Sequence, residues 1–189
     1  MRVIQADSVV KTIKEMCIKI NFNLGNDVRN ALLNAEKNEK SPIGKSILKN
    51  ILKNADIAKE EKMPICQDTG FVVVFLEIGD QVYVDGDIHQ AIQEGVRRGY
   101  KKGYLRKSIV NDPIKRENTG DNTPAVIHTN IVPGDKIKII VAPKGGGSEN
   151  MSQIKMLKPS DGVEGIKKFV LNTVEEAGAN PCPPIIVGV

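Results

Sequence analysis

The chain has 189 residues, 40% of them hydrophobic and 26% charged, with 27 basic residues against 23 acidic ones and a net charge of +4. This composition suits one α+β domain over 1–189 with a real core, and no apolar run approaches the roughly 20 residues of a membrane span. Three cysteines in a chain without a secretory signal do not suggest a disulfide framework, and the odd count argues the same way. Residues Met1 to Asp7 lack the apolar stretch of a secretory signal, so the expected location is cytoplasmic.

Residues 1–62 read as helical. Asp7 and Ser8 are candidate caps for a segment whose apolar residues Val9, Val10, Ile13, Met16, Cys17 and Ile20 recur at helical spacing. Asn26-Asp27 opens a second helix, with Val28, Ala31, Leu32 and Ala35 on one face. Ser41-Pro42 opens a third, with Ile43, Ile47, Leu48, Ile51, Leu52, Ala55 and Ile57 as its stripe and an end near Lys62.

The texture then changes to a mixed α/β region over about 63–189. Phe71 to Ile78 is a buried strand by length and β-branched content, and a short strand follows around Val82 to Val84. Asp87 caps a helix to about Lys102, with Ile88, Ala91, Ile92, Gly95 and Val96 inside. Two strands, Ala125–Ile131 and Lys136–Val141, are joined at Pro133-Gly134. Ser160-Asp161 starts a helix running to Glu176 and ended by Gly178. Pro183 to Val189 reads as the beginning of a strand that is cut off, which makes a truncated fragment the expectation.

The strongest local charge excess is Arg97 to Lys107, with Tyr100 and Tyr104 inside it. Such a run could contact phosphates while its tyrosines stack on bases, or it could be the solvated C-terminal end of a helix. No nucleic-acid recognition motif accompanies it.

Three segments are too polar and glycine-rich for ordinary connections, and each borders a predicted strand: Cys66-Gln67-Asp68-Thr69-Gly70, Asn118 to Pro124, and Pro143-Lys144-Gly145-Gly146-Gly147-Ser148-Glu149-Asn150. A second loop cysteine, Cys182, sits among prolines in Asn180-Pro181-Cys182-Pro183-Pro184. Thiols in polar, rigid loops suit a metal or cluster better than a core.

In this order the four segments resemble the α-type iron–sulfur hydro-lyases, class I fumarate hydratase and L-tartrate dehydratase, over nearly the whole chain. The resemblance implies an open [4Fe–4S] cluster held by three thiolates, with a fourth iron as Lewis acid for substrate. Cys66 and Cys182 match two of the ligands. Cys17, on the apolar face of the first helix, matches none, and the third ligand is expected beyond Val189. By the same resemblance Gln67 and Asp68 contact substrate, with Asp68 as the catalytic proton carrier; the alternative is that Asp68 only caps its turn. Arg106 aligns with a substrate-binding arginine, the alternative being an ordinary surface charge. Gly146 and Gly147 fall in the substrate loop, where backbone N–H groups meet a carboxylate unless the segment is a plain turn, and Asn150 follows in the same loop.

Asn118 to Thr123 either contacts substrate or braces the site through Asx-type turns. His89 and His128 are read as structural. The implied reaction is reversible hydration of fumarate to L-malate by the N-terminal part of an α subunit. A separate β subunit would complete the hetero-oligomer and supply the acid–base residue, leaving this chain inactive alone. Tartrate dehydration is the nearest alternative, and a non-catalytic cluster-binding or redox-sensing module is the alternative of another class. A small dicarboxylate is the expected ligand, with no nucleic acid and no membrane partner.

Overall fold

A computed structural model describes residues 1–189. Its first strand, β1 (Arg2–Gln5), runs straight into helix α1 (Ala6–Phe22), so Gln5 is the N-cap instead of Asp7 or Ser8. The Ser8 hydroxyl donates back to the Gln5 carbonyl at 2.7 Å. Helix α2 spans Asn26–Asn38 and α3 spans Pro42–Glu61. At α3 the predicted cap is present: Ser41 Oγ accepts from the Gly44 N–H at 3.3 Å and Pro42 occupies the first turn, where no N–H is needed. The two helices pack as a pair that buries Leu32, Leu52, Ala55 and Ala58. Ile43, Ile47 and Ile57 remain exposed, so only part of the expected apolar stripe of α3 is used.

Strand β2 (Phe71–Gly79) is the centre of a three-stranded mixed sheet. Strand β4 (Val126–Val132) lies parallel on one side of it and β5 (Ile137–Lys144) antiparallel on the other. The two strands joined at Pro133-Gly134 therefore do not pair with each other. Their connection wraps the end of β2, where the Gly79 and Gln81 N–H groups donate to the Lys136 and Gly134 carbonyls. Inserting the most apolar strand between them satisfies both of its backbone edges, which a hairpin beside it would not do. Strand β3 (Val82–Asp85) pairs in parallel with β1, a partner that the first five residues gave no sign of in the sequence.

One face of the sheet is closed by α1 and by α4 (Ile88–Lys102). Asp87 caps α4 as predicted, accepting from the Gln90 N–H at 3.0 Å. The core joins Val72, Val74, Leu76 and Val141 of the sheet to Val9, Val10, Ile13 and Cys17 of α1 and to Ala91, Ile92, Val96 and Tyr100 of α4. Where α1 and α4 touch, α4 presents Gly95 and Gly99. A Cβ on Gly95 would lie 2.6 Å from the Ile13 Cβ, and one on Gly99 would lie 2.9 Å from the Cys17 Cβ. The interhelical distance is thus set by two missing side chains.

After β5 come a one-turn helix α5 (Gly146–Glu149), a 3₁₀ turn at Pro159–Asp161, and helix α6 (Gly162–Ala177), which Gly178 ends at φ 51°. Helix α6 buries only Ala177, and Ile154, Met156, Ile186 and Val189 are open to solvent. The strand expected from Pro183 does not form: residues 183–189 pair with neither sheet, so no ladder takes their backbone groups. The architecture is α+β, with helices before and over a mixed sheet.

Gly95→Ala tests the α1–α4 contact. Alanine favours a helix over glycine by about 1 kcal/mol, but overpacking costs about 1–3 kcal/mol. Because the nearby Val10 carbonyl cannot rotate away, the expected net effect is destabilisation, read as a lower urea midpoint at constant m.

Candidate active site

The Cys66 turn is fixed from below by the helical half. Ile65 donates its N–H to the Asn21 carbonyl of α1 at 2.9 Å and accepts from the Asn54 side chain of α3 at 2.8 Å. Within the turn, the Asp68 N–H points to Cys66 Sγ at 3.4 Å, and the thiol lies 3.5 Å from Gln67 Oε1. Asp68 uses both carboxylate oxygens: Oδ1 accepts from the Gly70 N–H at 3.0 Å and Oδ2 from the Gly146 N–H at 2.9 Å. It therefore caps its own turn and also ties that turn to the glycine loop. Gly70 sits at φ 67°, and a Cβ there would lie 2.5 Å from the Lys144 carbonyl oxygen. Only glycine lets the turn press against the end of β5 in this conformation.

Arg106 borders the turn on its other side. Thr69 Oγ1 donates to the Arg106 carbonyl at 3.0 Å. Its guanidinium is exposed and makes no hydrogen bond or ion pair within the chain, whereas Arg97 pairs with Glu94 and Asp121, and Arg98 with Glu94. Most of the basic run is thus the last turns of α4. Of the two tyrosines offered for base stacking, Tyr104 is exposed but Tyr100 is fully buried, and its hydroxyl donates to the carbonyls of Thr69 at 2.9 Å and Gly70 at 3.1 Å. Burial raises its phenol above the ordinary range, keeping it a donor.

The Asn118–Pro124 loop is dense with local bonds. Asn118 Oδ1 accepts from the Gly120 N–H at 2.7 Å, and its Nδ2 donates to the Lys107 carbonyl at 2.9 Å. Burial pushes the Asp121 carboxyl up, but hydrogen bonds from Thr123 and Arg97 outweigh this and bring it down to about 2. Asn122 is completely buried and bonds to both the Cys66 turn and the Arg106 segment. The hydroxyls of Ser108 and Thr119 are buried without a partner in the chain.

The glycine loop continues to the second exposed thiol. A Cβ on Gly147 would lie 3.5 Å from the Asn180 carbonyl oxygen, two residues before Cys182. The Asn180 side chain reaches Met151 Sδ at 3.2 Å. Asn150 is the C-cap of α5, its N–H donating to the Gly146 carbonyl at 3.0 Å, and it is exposed. The turn of Cys66, Gln67 and Asp68 thus meets Gly146 directly, Arg106 through Thr69, and the Cys182 loop through Gly147. Cys17 lies apart between α1 and α4, and burial pushes its thiol up to about 12. Its thiolate form is disfavoured there. Cys66 and Cys182 are free and exposed, so both thiols are accessible from solvent. His128 lies within β4 on the open sheet face, stacked on Phe75 at 5.1 Å between ring centroids.

The sequence model of the fumarate hydratase (Fumerase) family matches residues 10–189. The chain belongs to that family. It is 46% identical to a putative L(+)-tartrate dehydratase subunit alpha of Methanocaldococcus jannaschii, over 97% of this chain and 65% of that one. It is 30% identical to the L(+)-tartrate dehydratase subunit alpha of Escherichia coli (strain K12), over 97% of this chain and 61% of the relative. The chain therefore spans under two thirds of the length of these curated relatives.

Iodoacetamide should label Cys66 and Cys182 in the folded chain and reach Cys17 only after unfolding; mass spectrometry of peptides reads the order. A second expectation concerns pH. The folded Asp121 carboxyl titrates near 2, against an ordinary value of 3.8, so its ionised form favours the folded state above about pH 4. That contribution, on the order of 1–2 kcal/mol for a partly exposed group, fades as pH falls toward 2. Asp121→Asn should accordingly lower the denaturation midpoint at pH 6 and match the unmodified chain near pH 2.

Proposed function

We propose that this chain is the α component of an iron–sulfur hydro-lyase that interconverts fumarate and L-malate. The observation that carries this reading is the Asp68 carboxylate, which holds the thiol turn and the glycine loop together in one site. Cys66 and Cys182 would hold a [4Fe–4S] cluster with a third thiolate from outside these 189 residues. When bound, such a cluster supplies a Lewis-acidic iron that polarises the substrate's oxygen groups.

The other roles belong to the chain itself. The free Arg106 guanidinium would take a substrate carboxylate by paired hydrogen bonds, which a planar fork does better than an ammonium. Gln67 would donate its amide to the substrate's polar end. Each Asp68 oxygen already accepts one N–H but keeps a further lone pair, enough to take and return the proton of the added water. Gly146 spends its N–H on Asp68, so Gly147 is the glycine we assign to the second carboxylate, with Asn150 beside it. Holding both carboxylates converts the addition into an oriented, nearly unimolecular event.

A β subunit would supply the remaining acid–base group in a hetero-oligomer. The "subunit alpha" in the relatives' names and the open apolar surface of Ile154, Met156, Ile186 and Val189 support that partner. We place the assembly in the cytoplasm, a reducing compartment that would keep two exposed thiols free. The names of the same relatives favour L-tartrate as a second reading.

The deciding assay compares turnover of malate, fumarate and tartrate by this chain with and without its β subunit after anaerobic iron–sulfur reconstitution. Turnover is expected only for the pair, and the preferred substrate separates the two readings. Turnover by this chain alone would sink the half-site proposal. Arg106→Ala should raise KM about 10- to 100-fold, since hydrogen bonds to charged groups contribute about 1.5–3 kcal/mol. Cys66→Ser should lose iron, whereas Cys17→Ala should keep it. Cluster assembly with no dicarboxylate binding would favour the non-catalytic module instead.

A further inference from the structure

Asn122 has no assigned part in the chemistry above, yet its side chain is among the most constrained in the molecule. It is completely buried, and its backbone sits in the left-handed region at φ 63°, which asparagine tolerates better than most residues. Nδ2 donates to the Gly70 carbonyl at 3.1 Å. Oδ1 accepts from the Ser108 N–H at 2.6 Å and the Ile109 N–H at 3.3 Å. One amide therefore spans from the end of the Cys66 turn to the segment that carries Arg106. Residues 70 and 108 belong to separate loops with no backbone hydrogen bond between them.

We infer that Asn122 is a positioning residue that sets the Arg106 guanidinium against the Cys66–Asp68 turn, an inference that rests on the hydro-lyase reading for the role of Arg106. Two neighbours share the task. Tyr100 donates to the same Gly70 carbonyl, and Thr69 donates to the Arg106 carbonyl. All three groups are uncharged. The brace therefore brings no charge of its own beside Arg106 and Asp68. The amide also needs both of its ends: a carboxylate in place of Asn122 would face the Gly70 carbonyl with a lone pair, and an alanine would leave the Ser108 and Ile109 N–H groups without their acceptor and the Gly70 carbonyl with Tyr100 alone.

The predicted consequence is a split between binding and turnover. A misplaced arginine weakens a contact made to substrate and transition state alike, which raises KM and leaves kcat nearly unchanged. The test uses Asn122→Ala and Thr69→Val in the reconstituted pair with the β subunit, beside Arg106→Ala and the remote core control Leu32→Val. Expected are about tenfold higher KM for the preferred dicarboxylate in both site variants, kcat within about threefold, and iron per chain unchanged. The control should alter thermal stability only. KM unchanged in both variants, with Arg106→Ala impaired, would overturn the inference. An Arg106→Ala variant with normal KM would instead overturn the hydro-lyase role of Arg106.

A second readout is independent of activity. In the cluster-free chain, Asn122→Ala should speed hydrogen exchange of the Ser108 and Ile109 amides and raise Cys66 alkylation severalfold, with Cys182 unaffected. Equal rates at all these positions would overturn the brace even if no dicarboxylate were turned over.

Discussion

The Gly70 residue is the joint on which the candidate site depends. Its carbonyl oxygen receives two buried side-chain donors, Tyr100 and Asn122, and its missing side chain lets the turn meet the Lys144 backbone. A backbone carbonyl left unpaired in such a place would cost about 1–3 kcal/mol, so these donors are conditions of the fold as well as features of the site. Through this one residue the core helix α4, the loop before β4 and the end of β5 all locate the same five-residue turn.

That arrangement explains how a thiol with no packing role is held in a defined place. Cys66 itself is exposed and makes few contacts. Its position is inherited from Ile65, tied to α1 and α3, and from Gly70, tied to α4 and to Asn122. The helical half of the chain thus acts as the platform for the loops of the mixed half. Asp68 extends the same logic sideways, joining the turn to Gly146 and so toward the second exposed thiol at Cys182.

Charge is distributed with comparable economy. Arg97 and Arg98 are spent on Glu94 and Asp121, which hold α4 and the following loop together, while Arg106 is left without a partner. Cys17 and Cys66 show the same division among thiols. One is desolvated between two helices and stays protonated, and the other stands in a polar turn beside an N–H donor. Residue type alone did not distinguish these pairs, and surroundings did.

Much was legible from local pattern. The Ser41-Pro42 start of α3, the Asp87 cap of α4, the Gly178 stop of α6 and the apolar run of β2 all rest on interactions within a few residues, so the sequence determined them directly. The motif order also brought Cys66, Asp68, Arg106 and the glycine loop to notice together. What only the tertiary structure decided was partnership across distance. β2 inserts between β4 and β5, β1 finds β3, and Tyr100 turns from a surface aromatic into a buried donor. Asn122, one of two asparagines in the Asn118–Pro124 loop, becomes the link between residues 70 and 108. The physical reason is the same in each case: a cap or helical stripe is completed by neighbours in the chain, whereas a strand edge or a buried polar group is completed only by whichever distant segment the core brings against it.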